Sequence, residues 1–164
     1  MPRIEHHIDI AAAPSTVFRF CHDPARRPDW DERVVGVELL TSSPVRRGTL
    51  VRIDAGRAGK FLYCWDAEYA EFQFPHNSTL RVLDAAPSSP FNAGSESWQF
   101  SAVGGSTRFT LVWDYQPRGL FARILDALGR RAATRRAIHS SLANLKTLIE
   151  ANPPAGYSPD LRED

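Results

Sequence analysis

Apolar and polar residues alternate with a period of two along most of this chain, and the period lengthens to about 3.6 over its last third. Ile4, His6, Ile8 and Ile10 alternate with Glu5, His7 and Asp9, which predicts a half-buried strand whose two histidines point to opposite faces. Pro14 suits the first turn of a short helix with Val17, Phe18 and Cys21 on its apolar side, and Asp23-Pro24 ends it. Arg27 to Arg33, with Pro28, Asp29 and Trp30, predicts a second short helix or turn, capped by Asp29. Strands are then expected over 34–40, 49–55, 61–70, 79–85, 95–103 and 107–116, with Ser42-Ser43-Pro44, Ala55 to Gly59 and Gly104-Gly105 as turns. Phe61, Tyr63, Trp65, Ala67 and Tyr69 share one phase, opposite Asp66 and Glu68, so they should face inward. Trp98 with Phe100, and Phe109, Leu111, Trp113 and Tyr115, should do the same.

From Arg118 to Ala151 the pattern predicts one long amphipathic helix, about 50 Å at 1.5 Å per residue. Its apolar stripe is Leu120, Phe121, Ile124, Leu125, Leu128, Ile138, Leu142, Leu145, Leu148 and Ile149, against Arg123, Arg130, Arg131, Arg135, Arg136 and Lys146. Pro117 and Gly119 bound its start, and Pro153 and Pro154 forbid continuation. Gly129 sits mid-pattern, either as a kink or close approach or as a tolerated cost of up to about 1 kcal/mol.

Short links between strands require antiparallel neighbours. The expected fold is therefore α+β: a curved antiparallel sheet of about seven strands around a long C-terminal helix, with two short helices after strand 1. Residues 1–151 form that domain, and the polar, Pro-rich 152–164 are expected to be a disordered tail. A length of 164 residues suits one domain with a real core. The net charge of +1 gives no general attraction to nucleic acid. Cys21 and Cys64 have no metal or redox spacing and are expected as buried free thiols. The N-terminus has no signal-peptide core and no apolar run reaches membrane-spanning length, so a soluble cytoplasmic protein is expected. "GRAGK" at Gly56 is too short for a P-loop, "VGGST" is not a nucleophile elbow, and neither a zinc spacing nor a dinucleotide fingerprint is present. No metal and no cofactor is expected.

The opening "IEHHIDIAAAPSTVFRF", the stretch "PDWDERVVGVELL" with Gly48 after it, and "SWQFSAVGGSTRFTLVWDY" before the last helix resemble the START-like (SRPBCC) helix-grip superfamily, and within it the polyketide cyclase/dehydrase-like proteins. The resemblance covers about 150 residues in order. It implies a helix-grip fold whose helix leaves a cavity against the sheet, and a ligand that is a lipid, a polyketide or similar. It implies no shared catalytic signature, so whether the chain is an enzyme stays open, as does its oligomeric state.

An apolar cavity would favour an apolar guest, at roughly 25 cal/mol per Å² removed from water. The candidates to line it are Tyr63, Trp65, Tyr69, Trp98, Phe109, Trp113 and Tyr115 from the strands and Phe121, Ile124 and Leu128 from the helix stripe; the alternative is that each merely fills the core. Glu96 has the phase of Trp98, so it is either a carboxyl in apolar surroundings able to transfer protons or a solvated strand-end acid. His76 could reach a cavity mouth and His139 could face the cavity, against a loop and a helix-flank position in solvent. Trp30, which matches a position the family tends to keep aromatic, should pack the short helices onto the sheet. Arg130, Arg131, Arg135 and Arg136 fit a solvated helix face, with contact to an anionic lipid surface as the second meaning. The leading function is binding of a hydrophobic small molecule; the second is a cyclase or dehydratase using Glu96, His139 or a Tyr; the third is a membrane-associated accessory role.

Overall fold

A computed structural model of the chain describes residues 1–151. The expected tail, 152–164, lies outside them. Strand β1 (Arg3–Ile10) leads into α1 (Pro14–Cys21) and α2 (Arg27–Trp30). Six strands follow: β2 (Val34–Leu39), β3 (Leu50–Arg57), β4 (Lys60–Gln73), β5 (Asn77–Ala85), β6 (Phe91–Val103) and β7 (Ser106–Pro117). They form one seven-stranded sheet in the order β1-β7-β6-β5-β4-β3-β2, antiparallel at every pairing. The α1–α2 segment carries the chain from one edge strand to the other.

Alternation built the inner face as expected where the pairing is regular. Phe109, Leu111, Trp113 and Tyr115 of β7 are buried, and β1 sets Ile4 opposite Trp113 and Ile8 opposite Phe109. Trp30 is completely buried with its ring 5.8 Å from Trp98 and 6.3 Å from Phe109, so it locks α2 onto the sheet. Cys21 is buried and Cys64 half-buried, and both are free thiols.

Bulges reverse the phase elsewhere, because an extra residue in one strand turns every following side chain to the other face. Tyr63 pairs with Ala55 but Phe61 with Gly56, so Leu62 is the extra residue and Phe61 is exposed rather than inward. A second bulge at Ala70, between Tyr69 and Glu71, lets Tyr69 and Phe72 share the inner face with rings 5.6 Å apart. Gly56 is required by close approach: a Cβ there would overlap Val35 Cγ1 and the Lys60 carbonyl. Gly56→Ala should therefore cost about 2 kcal/mol, within the usual range for overpacking. Urea denaturation would read it, and an unchanged midpoint would refute the overlap.

The C-terminal helical region departs from one continuous rod. Helix α3 (Gly119–Leu125) and helix α4 (Arg131–Ala151) are separated by a π-type turn over Asp126–Arg130, inside which Gly129 is non-helical at φ 170°, ψ −24°. Gly129 is thus the kink. An inserted residue shifts a helical stripe by about 100°, and the two halves behave accordingly. On α4, Ile138, Leu142, Leu145 and Ile149 are buried against the sheet at steps of three and four. On α3 only Ala122 is buried, while Leu120, Phe121, Ile124 and Leu125 are exposed, as is Leu128 in the turn.

Candidate functional site

Between the concave face of the sheet and the α3–α4 region lies a cavity of about 1340 Å³. The reason it stays open is a choice of side-chain size. Where α4 packs tightly it carries Ile and Leu; where it crosses the cavity it presents Ala133, Thr134, Ala137 and Ser140. These cannot span the gap to the sheet.

The opposite wall is aromatic. Trp65 from β4, Phe91 from β6 and Trp113 from β7 form a contiguous set, with centroids 5.4 Å from Trp65 to Phe91 and 5.2 Å from Phe91 to Trp113. Tyr63 lies 6.1 Å from Trp65, and Tyr115 stacks on Trp113 at 5.8 Å. Gly94 permits this crowding, since a Cβ there would stand 2.7 Å from the Asp114 carbonyl oxygen and 3.1 Å from the Trp113 ring.

Of the side chains anticipated from the sequence, Tyr63, Trp65, Glu96, Trp113, Tyr115 and Phe121 border this cavity. Tyr69, Trp98 and Phe109 do not: they are buried in the neighbouring core, around Phe18, His22, Trp30 and Phe100. Ile124 and Leu128 are exposed outside it, because α3 diverges from the line of α4. His139 is also exposed and away from the cavity, with its ring 5.6 Å from that of His6. His76 is exposed in the β4–β5 turn.

Glu96 is not an isolated carboxyl. It belongs to a buried four-membered ion cluster at one end of the cavity. Arg27 Nη2 donates to Glu96 Oε1 at 2.7 Å, and Arg33 Nη2 to Glu96 Oε2 at 2.8 Å. Arg27 Nε donates to Asp31 Oδ2 at 2.9 Å, while Arg33 Nε reaches Asp31 Oδ1 at 2.9 Å. Trp98 Nε1 donates to Glu96 Oε1 at 2.9 Å, and the Arg27 guanidinium lies 4.6 Å over the Trp98 ring. Burial alone would raise the Asp31 carboxyl; Arg33 and Arg27 outweigh it and hold the group well below the usual carboxylate range. Burial likewise opposes charge on Arg33, and Asp31 and Glu96 overcome it. Such a cluster survives burial only because every charge is paired and hydrogen-bonded. Glu96 is therefore committed to two cations and does not stand free as a proton carrier.

A second polar cluster comes from the π turn. Asp126 is buried; Tyr115 Oη donates to its Oδ1 at 2.5 Å, and Arg131 donates to its Oδ2 through Nε at 3.0 Å and Nη2 at 2.9 Å. Burial and the Asp126 carboxylate both push the Tyr115 phenol up. The Tyr63 phenol is raised by burial, which the Arg33 and Arg130 charges only partly offset, and its hydroxyl makes no hydrogen bond among the described residues. Sequence reasoning missed Phe91, Arg27, Asp31, Arg33 and Asp126. A signal existed: a charged triplet beside Trp30, and one acid inside an otherwise apolar and basic helical stretch. Among the described residues no three His, Cys, Asp or Glu side chains gather as a metal-binding group, and no helix is long and apolar enough to cross a membrane.

Comparison with solved structures shows the same architecture. A Thermus thermophilus protein superposes with a TM-score of 0.75 at 20% identity, covering 92% of this chain and 98% of that one. The Zhui aromatase/cyclase from Streptomyces also gives 0.75 at 18% identity, covering 95% and 99%. The two-domain aromatase/cyclase BexL gives 0.69 at 24% identity, covering 93% of this chain and 48% of that one. No curated protein matches the sequence. The family described as polyketide cyclase / dehydrase and lipid transport matches residues 1–150. With a helix-grip fold, a cavity between sheet and helix and a family match over nearly its whole length, the chain belongs to the polyketide cyclase / dehydrase and lipid transport family.

Proposed function

We propose that this protein binds a hydrophobic small molecule, a lipid or polyketide-like compound, in the cavity between the sheet and the C-terminal helices. The observation that carries this is the hollow itself: about 1340 Å³ with an aromatic wall, facing small side chains on α4. That volume exceeds the common range of roughly 300–1,000 Å³ for small-molecule sites, so a bulky guest fits. Tyr63, Trp65, Trp113, Tyr115 and Phe121 supply apolar contact, and the Tyr63 hydroxyl and the Arg33 guanidinium orient its polar end.

The test is a panel of fatty acids, sterols and aromatic polyketides titrated against intrinsic tryptophan fluorescence, since Trp65 and Trp113 border the site. At least one class should bind at micromolar concentration, and Ala137→Trp should abolish it by filling the hollow. Absence of binding for every class, or binding that Ala137→Trp leaves intact, refutes the assignment to this cavity.

An enzymatic use of the same cavity is favoured by one geometric feature, the Tyr115–Asp126–Arg131 chain on its wall. With its one O–H given to the Asp126 carboxylate, the Tyr115 oxygen can take a proton from a substrate while passing its own to Asp126. The family and the aromatase/cyclase likeness of the fold support that reading. Loss of turnover without loss of binding in Tyr115→Phe, once a substrate is in hand, distinguishes it from simple carriage.

A further inference from the structure

The mouth of the cavity has two lips, and both carry unburied apolar side chains. On one, α3 and the π turn expose Leu120 at 73%, Phe121 at 74% and Leu128 at 78%. On the other, the β3–β4 hairpin exposes Phe61 at 60% and Leu62 at 56%. Leu62 and Phe121 border the cavity while standing largely in solvent, which places the β3–β4 hairpin and α3 with its π turn at the opening, with Phe61, Leu120 and Leu128 as exposed residues of the same two segments. Contiguous exposed apolar residues of this size mark a contact surface.

The charges around the opening are mostly positive. From Arg118 to Ile149 the chain holds a single acid, Asp126, which is buried and tied to Arg131. The hairpin from Arg57 to Leu62 has Arg57 and Lys60 and no acid. Asp31 and Glu96 are neutralised within their ion cluster. What remains on the rim is Glu32 against Arg57, Arg130 and Arg136, since Arg118 donates to the Ser89, Ala85, Ala86 and Phe91 carbonyls; Arg123 on α3 and Lys60 in the hairpin add exposed cations on the same two elements.

From this juxtaposition we infer that the cavity mouth docks on an anionic lipid bilayer, with the apolar lips entering the headgroup region and the cations pairing with lipid phosphates. Large side chains flanked by arginines match such an interface, where apolar burial and charge attraction add. A second copy of this chain fits poorly, since a two-fold contact through the same patch sets cations against cations. Docking there places the opening against the apolar phase, so a hydrophobic guest enters without crossing water.

The full chain should float with vesicles of phosphatidylcholine mixed with phosphatidylglycerol, far less with phosphatidylcholine alone, and be released by high salt. Two paired variants leave the cavity lining untouched. Phe61→Ser with Leu120→Ser, and Lys60→Gln with Arg123→Gln, should each weaken flotation at least about tenfold. No flotation on anionic vesicles, equal flotation on both vesicle types, or a binding curve that either pair leaves unchanged overturns the inference. Ligand titration in vesicle-free solution is the separate measure of the cavity's function: retained binding with failed flotation sinks the docking alone.

Discussion

Glu96→Gln should destabilise the fold by about 3 kcal/mol, the low end of the range for breaking a buried ion pair by removing one partner. The physical reason is what it leaves behind. Arg27 and Arg33 both spend a guanidinium nitrogen on Glu96, at 2.7 and 2.8 Å. Without that carboxylate, two cations share only Asp31, and Arg27 is almost wholly buried. The amide also turns an acceptor toward donors at one atom and a donor toward donors at the other, so Trp98 Nε1 or one guanidinium loses its partner. Arg33 borders the cavity and keeps some solvent, which is why the upper end of the range does not apply. Removing Arg27 and Glu96 together, as Arg27→Met with Glu96→Leu, should cost clearly less than the sum of the singles, because the remaining Asp31–Arg33 pair is balanced. The urea midpoints of the two singles and the double decide it. A Glu96→Gln protein as stable as the parent would mean that the cluster contributes nothing net.

That cluster also marks where sequence reasoning stops. The β7 alternation and the α4 stripe were legible because each depends on local period alone, and Trp113 or Leu145 is buried for the same reason in any sheet or helix of that pattern. The Arg27–Glu96 bond joins residues 69 apart and depends on how α2 crosses the sheet. No period encodes it. Phe61 was misplaced by the bulge at Leu62, which changes pairing without changing residue type. The stripe from Leu120 to Leu128 was legible as apolar, yet its burial was not. Gly129 breaks the helix, and α3 then faces away from the core that α4 serves. Gly129 and Asp126 both sat in plain view inside that stripe. A carboxylate and a glycine three residues apart among apolar neighbours cost stability in a continuous packed helix, and their presence fits a region whose task is not core packing. The candidate site was thus half readable: its aromatic wall apart from Phe91 followed from strand phase, while Phe91 lay before the expected start of its strand and the charged end and rim followed from tertiary placement.

The stability of the protein should fall by up to about 3 kcal/mol as pH drops from 6.5 to 4, and His22 should account for most of that loss. His22 is buried, with its ring 4.0 Å from Phe18, 5.0 Å from Phe72 and 5.0 Å from Trp98. Its Nδ1 donates to the Phe18 carbonyl at 2.7 Å, and Nε2 then accepts from Ser78 Oγ at 2.8 Å. Burial pulls its pKa from 6.5 down to about 4; the Phe18 carbonyl opposes this and the Arg27 charge adds to it. Between those two values the unfolded chain binds a proton that the native chain refuses, so stability rises with pH across the window. The contribution is whole above 6.5, shrinks as pH falls toward 4, and is constant below. The gap from 6.5 to about 4 at 1.36 kcal/mol per unit sets the magnitude. His6 is displaced in the same direction, by burial first and by the His139, Arg135 and His7 charges next, but it is far less buried and adds little. Asp31 acts lower: its depressed carboxyl contributes stability that is lost only as pH falls below the ordinary carboxylate value of 3.8. His22→Gln keeps a neutral polar group in the site and should flatten the profile between 6.5 and 4 while leaving the acid limb below 4 in place. Urea midpoints of both proteins across that range carry the test, and parallel slopes would show that the proton is taken up elsewhere.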